Sequence, residues 1–265
     1  MTVWDVFRQK RPFIIGMVHC QPLLGTPGFD GSSQNVLYRA IQDAVTLEKA
    51  GVDGIMVENM CDDPLGTLLT LEETVGLTAV ATMVKNVVGD IPVGIDAAFC
   101  DCKASLAIAK TLGCQFVRIP VFVDTVLYSG GIIYPCAHDC MYYRKQIGAE
   151  DVMILADVQV KHTHMLMKDI SIEQSAKDAV ACGADGLIVT GTATGGETPL
   201  EMIRRVKKVV DIPVLAGSGV NSRNIKEQMS VADGAIVGTA LKEDGILKNP
   251  ISFELTSELM KSLRK

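Results

Sequence analysis

The sequence predicts a single (β/α)8 barrel spanning residues 1–265. Its length of 265 residues is close to the roughly 250 residues typical of such a barrel. Eight apolar segments of strand length alternate with longer segments of helical spacing. The strand segments are apolar almost throughout, which is typical of parallel strands covered by helices on both sides. Eight strand–helix units favour a closed barrel over an open doubly wound sheet.

The predicted strands are short β-branched runs, and the predicted helices between them carry charged residues at helical spacing. In chain order the strands are Phe13–His19, Gly54–Asn59, Pro92–Asp96, Phe116–Val121, Val152–Val158, Gly186–Gly191, Pro213–Gly219 and Gly234–Leu241. The helices are Gln34–Ala50, Leu71–Val88, Lys103–Leu112, Ala137–Ile147, Ile172–Cys182, Leu200–Val210 and Ser222–Met229, with Ser252–Leu263 closing the chain.

Two pairs of similar segments lie four strand–helix units apart. Ala50–Val57 resembles Cys182–Val189, and Asp90–Val93 resembles Asp211–Val214. The glycine in the first pair suits the residue after a helix, and the proline in the second pair suits the start of a strand. The equal offset favours a duplicated half-barrel, with convergent turn chemistry as the alternative.

Two connections after predicted strands are longer than the others. Cys20–Gln34 is rich in Pro and Gly, and Phe122–Ala137 contains Ser129-Gly130-Gly131. Loops that follow barrel strands lie on the catalytic face, so both are candidate lids.

Composition excludes several classes of protein. The net charge of −6 and a pI near 5.3 argue against nucleic-acid binding, and apolar runs fall short of the ~20 residues of a membrane span. Hydrophobic residues make up 48% of the chain, enough for a large core. The first residues lack the apolar segment and cleavage site of a secretion signal, and eight cysteines then indicate reduced thiols in the cytoplasm.

The segment Ile212–Leu241 predicts a phosphate site. One strand ends in Gly217-Ser218-Gly219 and the next in Gly238-Thr239, so backbone N–H groups at neighbouring strand ends face one point. The loops after strands seven and eight of barrels commonly bind phosphate. The alternative is that these glycines only allow a helix to pack closely on a strand. Thr190 and Thr192 either extend the phosphate site or shape a turn.

Polar side chains at the other predicted strand ends form a candidate catalytic set. Acidic, basic and imidazole groups around a bound anion can supply an acid/base pair and neutralise charge. The set contains His19, Glu58, Asp96, Arg118, Asp157, Lys161 and His162.

Structural roles are the alternatives for three of these residues. Arg118 is either a ligand contact or a buried cation paired with Asp96 or Glu58. Lys161, which would share a face with Asp157 in an extended strand, is a Schiff-base nucleophile, a phosphate counter-ion or the partner of Asp157. His19 is either a site residue or a hydrogen-bonded core histidine.

Six cysteines follow the first four predicted strands, on the same face. They are Cys20, Cys61, Cys100, Cys102, Cys136 and Cys140. A metal bound with His138 or His162 is an alternative, but the spacings lack the paired C-x2-C of a zinc site, and free thiols are the default interpretation. We therefore predict no metal and no cofactor, with FMN at the phosphate site as a further alternative.

The chain resembles the BtpA/SgcQ family of TIM-barrel proteins over nearly its whole length. The matching segments are Gly16–Pro27, Gly51–Asn59, Pro92–Ile95, Phe116–Ile119, Leu155–His162, Ala184–Thr198, Pro213–Asn221 and Ala232–Gly245. The resemblance implies a barrel and either a photosystem I biogenesis factor or a nucleosidase or sugar-operon enzyme. Asp96, Phe99-Cys100 and Pro120 depart from the family pattern, so substrate identity does not transfer.

Together these features predict an enzyme acting on a small phosphorylated sugar, nucleoside or related metabolite. Asp157 with Glu58 or His19 would perform acid/base chemistry, and isomerase, lyase and N-glycosidase reactions all fit. A nucleosidase would need a carboxylate beside an oxocarbenium-like centre, which Asp96 or Asp157 could supply. The alternative is a non-catalytic assembly or regulatory factor. The expected partner is a phosphorylated metabolite, without nucleic acid or membrane, and a homo-oligomer is compatible with the sequence.

Overall fold

The computed structural model describes residues 5, 7, 9, 12–191 and 196–264. Eight parallel strands form a closed barrel, which confirms the predicted fold class. Numbered in chain order with the strands outside the barrel, they are β1 (Phe13–His19), β2 (Gly54–Glu58), β3 (Val93–Asp96), β4 (Phe116–Ile119), β7 (Met153–Val158), β9 (Gly186–Val189), β10 (Val214–Ala216) and β11 (Gly234–Val237). Pairing runs in this order, and β11 closes the barrel against β1.

Helices cover the outside of the barrel and connect its strands. They are α1 (Ser33–Ala50), α2 (Leu71–Val87), α3 (Cys102–Leu112), α4 (Ala137–Gln146), α5 (Ile172–Ala181), α6 (Leu200–Lys207), α7 (Ile225–Met229) and α8 (Phe253–Arg264). Local sequence explains their ends: the Thr70 side chain and Glu73 form a capping box at the start of α2, and Gly51 ends α1 with φ 86°. No helix within the described ranges is long and apolar enough to cross a membrane.

The similar segments Ala50–Val57 and Cys182–Val189, four strand–helix units apart, make the same contact at the starts of their strands. An Oδ2 atom of Asp53 accepts the N–H of Ile14 at 2.9 Å, and Oδ2 of Asp185 accepts the N–H of Ile154 at 2.9 Å. In both cases the aspartate precedes a strand and binds the neighbouring strand. These aspartates therefore fix strand pairing at the N-terminal end of the barrel and leave the other end for chemistry.

Aromatic side chains fill the N-terminal end of the barrel. Phe7 stacks on Phe13 with ring centroids 4.3 Å apart and meets Phe116 edge-on at 6.0 Å. Gly94 makes room for Phe116, since a Cβ there would lie 2.0 Å from its ring. Among the residues that the structure describes, the barrel is therefore packed at this end, and its cavity lies at the C-terminal ends of the strands.

A small antiparallel sheet, here the mouth sheet, was missed by the sequence analysis. It contains β5 (Val126–Tyr128), β6 (Gly131–Ile133) and β8 (His164–Met165), in the order β6-β5-β8. Strands of two or three residues are too short to show a period in the sequence. The candidate lid after β4 is thus a hairpin that also pairs with the segment after β7.

Five predicted strands end one to four residues earlier than expected, at Glu58, Ile119, Val189, Ala216 and Val237, whereas the fifth predicted strand ends at Val158 as expected. The last barrel strand ends at Val237 and is followed by a 3-10 helix, Thr239–Leu241. After Val158 the backbone takes positive φ values, 50° at Gln159 and 63° at His162. The expectation that Asp157 and Lys161 share a face of one extended strand was therefore wrong.

Candidate active site

The C-terminal strand ends surround a cavity of about 260 Å³. Its wall brings together the predicted residues His19, Glu58, Arg118, Lys161, His162, Gly217, Ser218, Gly219, Gly238 and Thr239. Asp96 and Asp157 are buried behind this wall, at 0% and 1% exposure. Thr190 is also buried outside the lining, and Thr192 lies outside the described residues.

Arg118 is the centre of the charged part of the cavity. Its Nε and Nη2 atoms donate to Oδ1 and Oδ2 of Asp157 at 2.8 and 2.9 Å, a bidentate pair. Its Nη1 atom lies 3.3 Å from Oδ2 of Asp96 and 3.9 Å from Oε1 of Glu58. Burial alone would lower the pKa of Arg118, but the carboxylates, Asp157 first, raise it. Arg118 is therefore a fixed cation whose guanidinium reaches the cavity.

Asp96 shares this cation with two other carboxylates. Burial, followed by the charge of Glu58, raises the pKa of Asp96 well above its usual value, and Arg118 only partly opposes this. Neither carboxyl oxygen of Asp96 has a hydrogen-bond partner within the described residues. The protonated form is therefore more favoured in Asp96 than in an exposed aspartate.

Glu58 and His19 form an imidazole–carboxylate pair on the cavity wall. His19 Nε2 lies 3.2 Å from Oε2 of Glu58. Burial raises the pKa of Glu58, but the hydrogen bond and charge of His19, with the charges of Arg118 and Lys161, lower it to about 2. Glu58 is thus ionised, and the imidazole that it holds is placed to exchange a proton with a ligand.

Lys161 supplies a second basic side chain at the wall. Its backbone N–H donates to Oγ1 of Thr190 at 2.9 Å, so Thr190 fixes the turn that carries Lys161. Burial, and then the charge of Arg118, lower the pKa of Lys161. His162 is more exposed, and burial followed by the charge of Lys161 lowers its pKa also.

The two glycine-bearing strand ends line the same cavity as these charged residues. In the described part of the chain, the N–H groups of Ser218, Gly219, Gly238 and Thr239 donate to no protein acceptor. The N–H of Gly217, by contrast, donates to Val189 O at 2.8 Å in the sheet. Clustered N–H groups without a protein acceptor suit an anionic ligand.

Close packing accounts for part of the glycine pattern. A Cβ on Gly217 would lie 2.4 Å from Ile188 Cγ2, and one on Gly219 would lie 2.4 Å from the Glu197 backbone. The Ser218 hydroxyl accepts the Gly191 N–H at 2.7 Å and donates to Gly196 O at 3.1 Å. The Ser218 side chain thus fixes the segment after β9, and only its backbone N–H remains for a ligand.

Gly238 has a different role, because its lack of a side chain leaves room for the imidazole of His19. A Cβ at this position would lie 2.5 Å from His19 Cε1. The glycine therefore lets the imidazole approach the last strand end while it stays paired with Glu58.

Sequence reasoning missed the apolar part of the wall. Met17, Met60, Phe99, Ile236 and Leu247 line the cavity together with the polar residues. Met17 and Ile236 lie on predicted strands, where an apolar residue is indistinguishable from ordinary core. Phe99 follows β3 closely and stacks on Tyr128 of the mouth sheet, with centroids 5.6 Å apart. Only its position after a strand end could have indicated it.

Metal ligands are not assembled in the part of the chain that the structure describes. No group of three or more His, Cys, Asp or Glu side chains there is arranged to hold a metal ion. That no cofactor binds stays a prediction, with FMN at the glycine-bearing strand ends as its alternative.

A closed parallel barrel with polar groups gathered at the C-terminal mouth defines the TIM-barrel class. Within that class, the chain belongs to the BtpA family, whose model matches residues 9–265. An uncharacterized protein of Pyrococcus furiosus is 42% identical over 97% of this chain and 96% of its own length. The photosystem I biogenesis protein BtpA of Synechocystis is 34% identical over 95% of this chain and 87% of its own.

Solved structures of other barrels share the fold. (S)-3-O-geranylgeranylglyceryl phosphate synthase from Thermoplasma acidophilum, in complex with its substrate sn-glycerol-1-phosphate, superposes with a TM-score of 0.63. The superposition covers 99% of this chain and 98% of the synthase, at 19% sequence identity. This structural similarity to the synthase shows that the two proteins share a fold.

Proposed function

We propose that this protein is an enzyme that acts on a small phosphorylated metabolite by acid/base chemistry. The observation that carries the proposal is that one cavity joins two sets of groups. Backbone N–H groups at Ser218, Gly219 and Thr239 line it together with His19 and the Glu58 carboxylate that His19 contacts. A pure scaffold has no need to bury charges at a cavity, because burying them costs free energy.

The N–H groups after β10 and β11 would hold the phosphate, with Lys161 as its counter-ion. Both strand ends line the cavity, and their N–H groups lack protein acceptors within the described residues. The structurally similar synthase that is bound to sn-glycerol-1-phosphate supports a phosphorylated ligand in a barrel of this shape.

Proton transfer is best assigned to His19 and Glu58. Both line the cavity, whereas Asp157 is 1% exposed and engaged by Arg118 through both oxygens. Asp157 is thus a positioning residue for Arg118. The Arg118 guanidinium, which lines the cavity, would stabilise negative charge that develops on the substrate. Isomerase, lyase and N-glycosidase reactions are all compatible with this arrangement.

A thermal-shift titration tests the phosphate part of the proposal. Inorganic phosphate and glycerol phosphate should raise the Tm with increasing concentration, because a ligand that binds only the folded state stabilises it. Chloride at equal ionic strength should not. Thr239→Asp should abolish the shift by placing a carboxylate at the cavity. Gln146→Glu adds a negative charge at an exposed position and should leave the shift intact.

Mass spectrometry of the metabolites that co-purify with the protein would identify the substrate. A phosphate ester that is retained by the native protein and lost from Thr239→Asp would support the proposal. The absence of any phosphate-dependent shift together with retention of a ligand without phosphate would contradict it.

A non-catalytic assembly role is the second candidate, supported by the name of the Synechocystis relative. Complementation of a strain that lacks the gene distinguishes the catalytic role from the assembly role. Glu58→Gln should fail to complement if catalysis is required, and it should complement fully if the protein acts only by assembly.

A further inference from the structure

Four cysteines meet beside the cavity wall and form what we call the thiol cluster: Cys100, Cys102, Cys136 and Cys140. Cys100 and Cys102 follow β3, whereas Cys136 and Cys140 lie at the start of α4. Cys100 Sγ lies 3.9 Å from Cys136 Sγ. Cys102 lies close enough to Cys136 and Cys140 for both thiols to lower its pKa. Two segments that are distant in the sequence thus bring their thiols into contact.

Cys102 differs from the other three in its surroundings. It is the first residue of α3, and the N-terminal end of a helix dipole favours a negative charge. Hydrogen bonds from Cys136 and then Cys140 lower the pKa of Cys102 to about 4, against the effect of burial. A lowered pKa favours the thiolate, which is the nucleophilic form of cysteine. Cys136 is partly exposed, which gives a small oxidant access to the cluster.

We propose that the thiol cluster is a redox-modification site, at which hydrogen peroxide drives formation of a disulfide between Cys136 and the segment 100–102. A metal centre is the competing use of four thiols. The described residues contain no group of side chains arranged as metal ligands, and this favours the redox role.

The chemistry uses one peroxide for each disulfide. The Cys102 thiolate attacks peroxide and breaks the O–O bond, giving a sulfenic acid and hydroxide. The Cys136 sulfur then attacks the Cys102 sulfur, and the S–O bond breaks with release of water that carries the Cys136 proton. The two sulfurs lose two electrons in total, and peroxide gains them. Cys100, in contact with Cys136, can replace Cys102 by thiol–disulfide exchange.

Either disulfide joins the same two parts of the cavity wall. Phe99 lines the cavity next to Cys100, and its ring stacks on Tyr128 of the mouth sheet. Cys136 directly follows the hairpin of that sheet. Because a disulfide holds its sulfurs at about 2.05 Å, oxidation draws these segments together and fixes the wall.

Peptide mapping of the full-length protein tests this directly. The reduced protein is treated with hydrogen peroxide, alkylated and digested, and the linked peptides are identified by mass spectrometry. We expect a mass loss of about 2 Da in the disulfide-linked peptide pair, which joins Cys136 to Cys100 or Cys102. We also expect a Tm higher by roughly 5 °C, because the bond closes a loop of about 35 residues.

Two variants serve as controls. Cys136→Ser should lose the linked peptide and the Tm increase. Cys182→Ser removes an exposed cysteine outside the cluster and should retain both. If Cys136→Ser does not fold, Cys136→Ala replaces it, with circular dichroism as the check.

Three results would overturn the proposal. One is a disulfide that does not include Cys136, and another is oxidation confined to Cys182. The third is stoichiometric uptake of Zn²⁺ by the reduced protein that is lost in Cys136→Ser, because this would make the cluster a metal site.

Discussion

Arg118 holds Asp157 through two hydrogen bonds of 2.8 and 2.9 Å, with Asp157 completely enclosed beneath the cavity. The pair joins neighbouring strands, since Arg118 lies opposite Leu155 in the β4–β7 ladder. Because the guanidinium is planar, two hydrogen bonds through Nε and Nη2 fix its orientation. Its third nitrogen, Nη1, then points toward Asp96 and Glu58. This ion pair sets the geometry on which the rest of the charged cavity depends.

Asp157→Asn should destabilise the protein by roughly 2–4 kcal/mol, because it removes one partner of a buried ion pair and leaves Arg118 less compensated. Urea unfolding followed by circular dichroism measures this. Asp151→Asn is the matched control, since Asp151 pairs with Lys110 at 2.7 Å but its side chain is 70% exposed. Exposed pairs contribute little, so the control should unfold close to the wild type. Equal effects from both substitutions would show that the buried pair has no special role.

The barrel was predictable because its signals are local and repeated. Each strand is a run of apolar residues, and each predicted strand corresponds to an observed one. The polar set was also visible, since polar residues at strand ends such as His19 and Glu58 stand out against apolar neighbours. What a strand end cannot show is which side chain reaches the cavity. Arg118 and Asp157 both follow apolar residues, yet one lines the cavity and the other lies behind it.

The remaining errors arise where backbone conformation departs from the extended strand. Gln159 takes φ 50° because its N–H donates to Asp124 and its side-chain amide donates to Ile170 O, both contacts outside the barrel strands. The mouth sheet likewise depends on pairing between β5 and β8, which lie far apart in the sequence. Tertiary contacts of this kind leave no period in the sequence.

Asp96→Asn should make stability less dependent on pH. The pKa of Asp96 is raised in the folded state, so between its unfolded pKa near 4 and its folded pKa the native state binds more protons than the unfolded state. The free energy of unfolding therefore falls as pH rises through that window. The asparagine side chain does not titrate, so Asp96→Asn removes this contribution to the pH dependence of the free energy of unfolding. The variant should gain stability relative to wild type at pH 7, by about 1.4 kcal/mol for each pKa unit of the shift, and should lose that gain near pH 4.

Unfolding by urea at a series of pH values measures the difference between the two proteins. Glu58 contributes in the opposite sense, because its pKa is lowered to about 2. Its contribution is present above pH 4.5 and is lost in both proteins as the pH falls toward 2, so it cancels in the comparison. A difference that is constant from pH 4 to pH 7 would show that Asp96 is ionised throughout.

Gly238→Ala should inactivate the protein without unfolding it. The added methyl group would lie 2.5 Å from His19 Cε1, so the imidazole must move and its 3.2 Å contact with Glu58 is lost. We expect a stability cost of about 1–3 kcal/mol and a much larger proportional loss of turnover. Histidine NMR resonances and turnover of the identified phosphate ester provide the measurements. Gly89→Ala is the control, because its nearest neighbour would lie at an ordinary 3.4 Å. An unshifted His19 resonance in Gly238→Ala would contradict the role of this glycine.

Glu58→Gln should separate binding from chemistry. The substitution keeps the size of the side chain but removes the charge that pairs with His19 and faces Arg118. If His19 and Glu58 transfer the proton, kcat should fall about 10²- to 10⁴-fold. The phosphate-induced Tm shift should persist, because the N–H groups of Ser218, Gly219 and Thr239 are untouched. Kinetics with the phosphate ester identified from the co-purifying metabolites, combined with the Tm titration, test both parts. A variant with full turnover would remove Glu58 from the mechanism, whereas loss of turnover and of the phosphate shift together would show that Glu58 maintains the cavity as a whole.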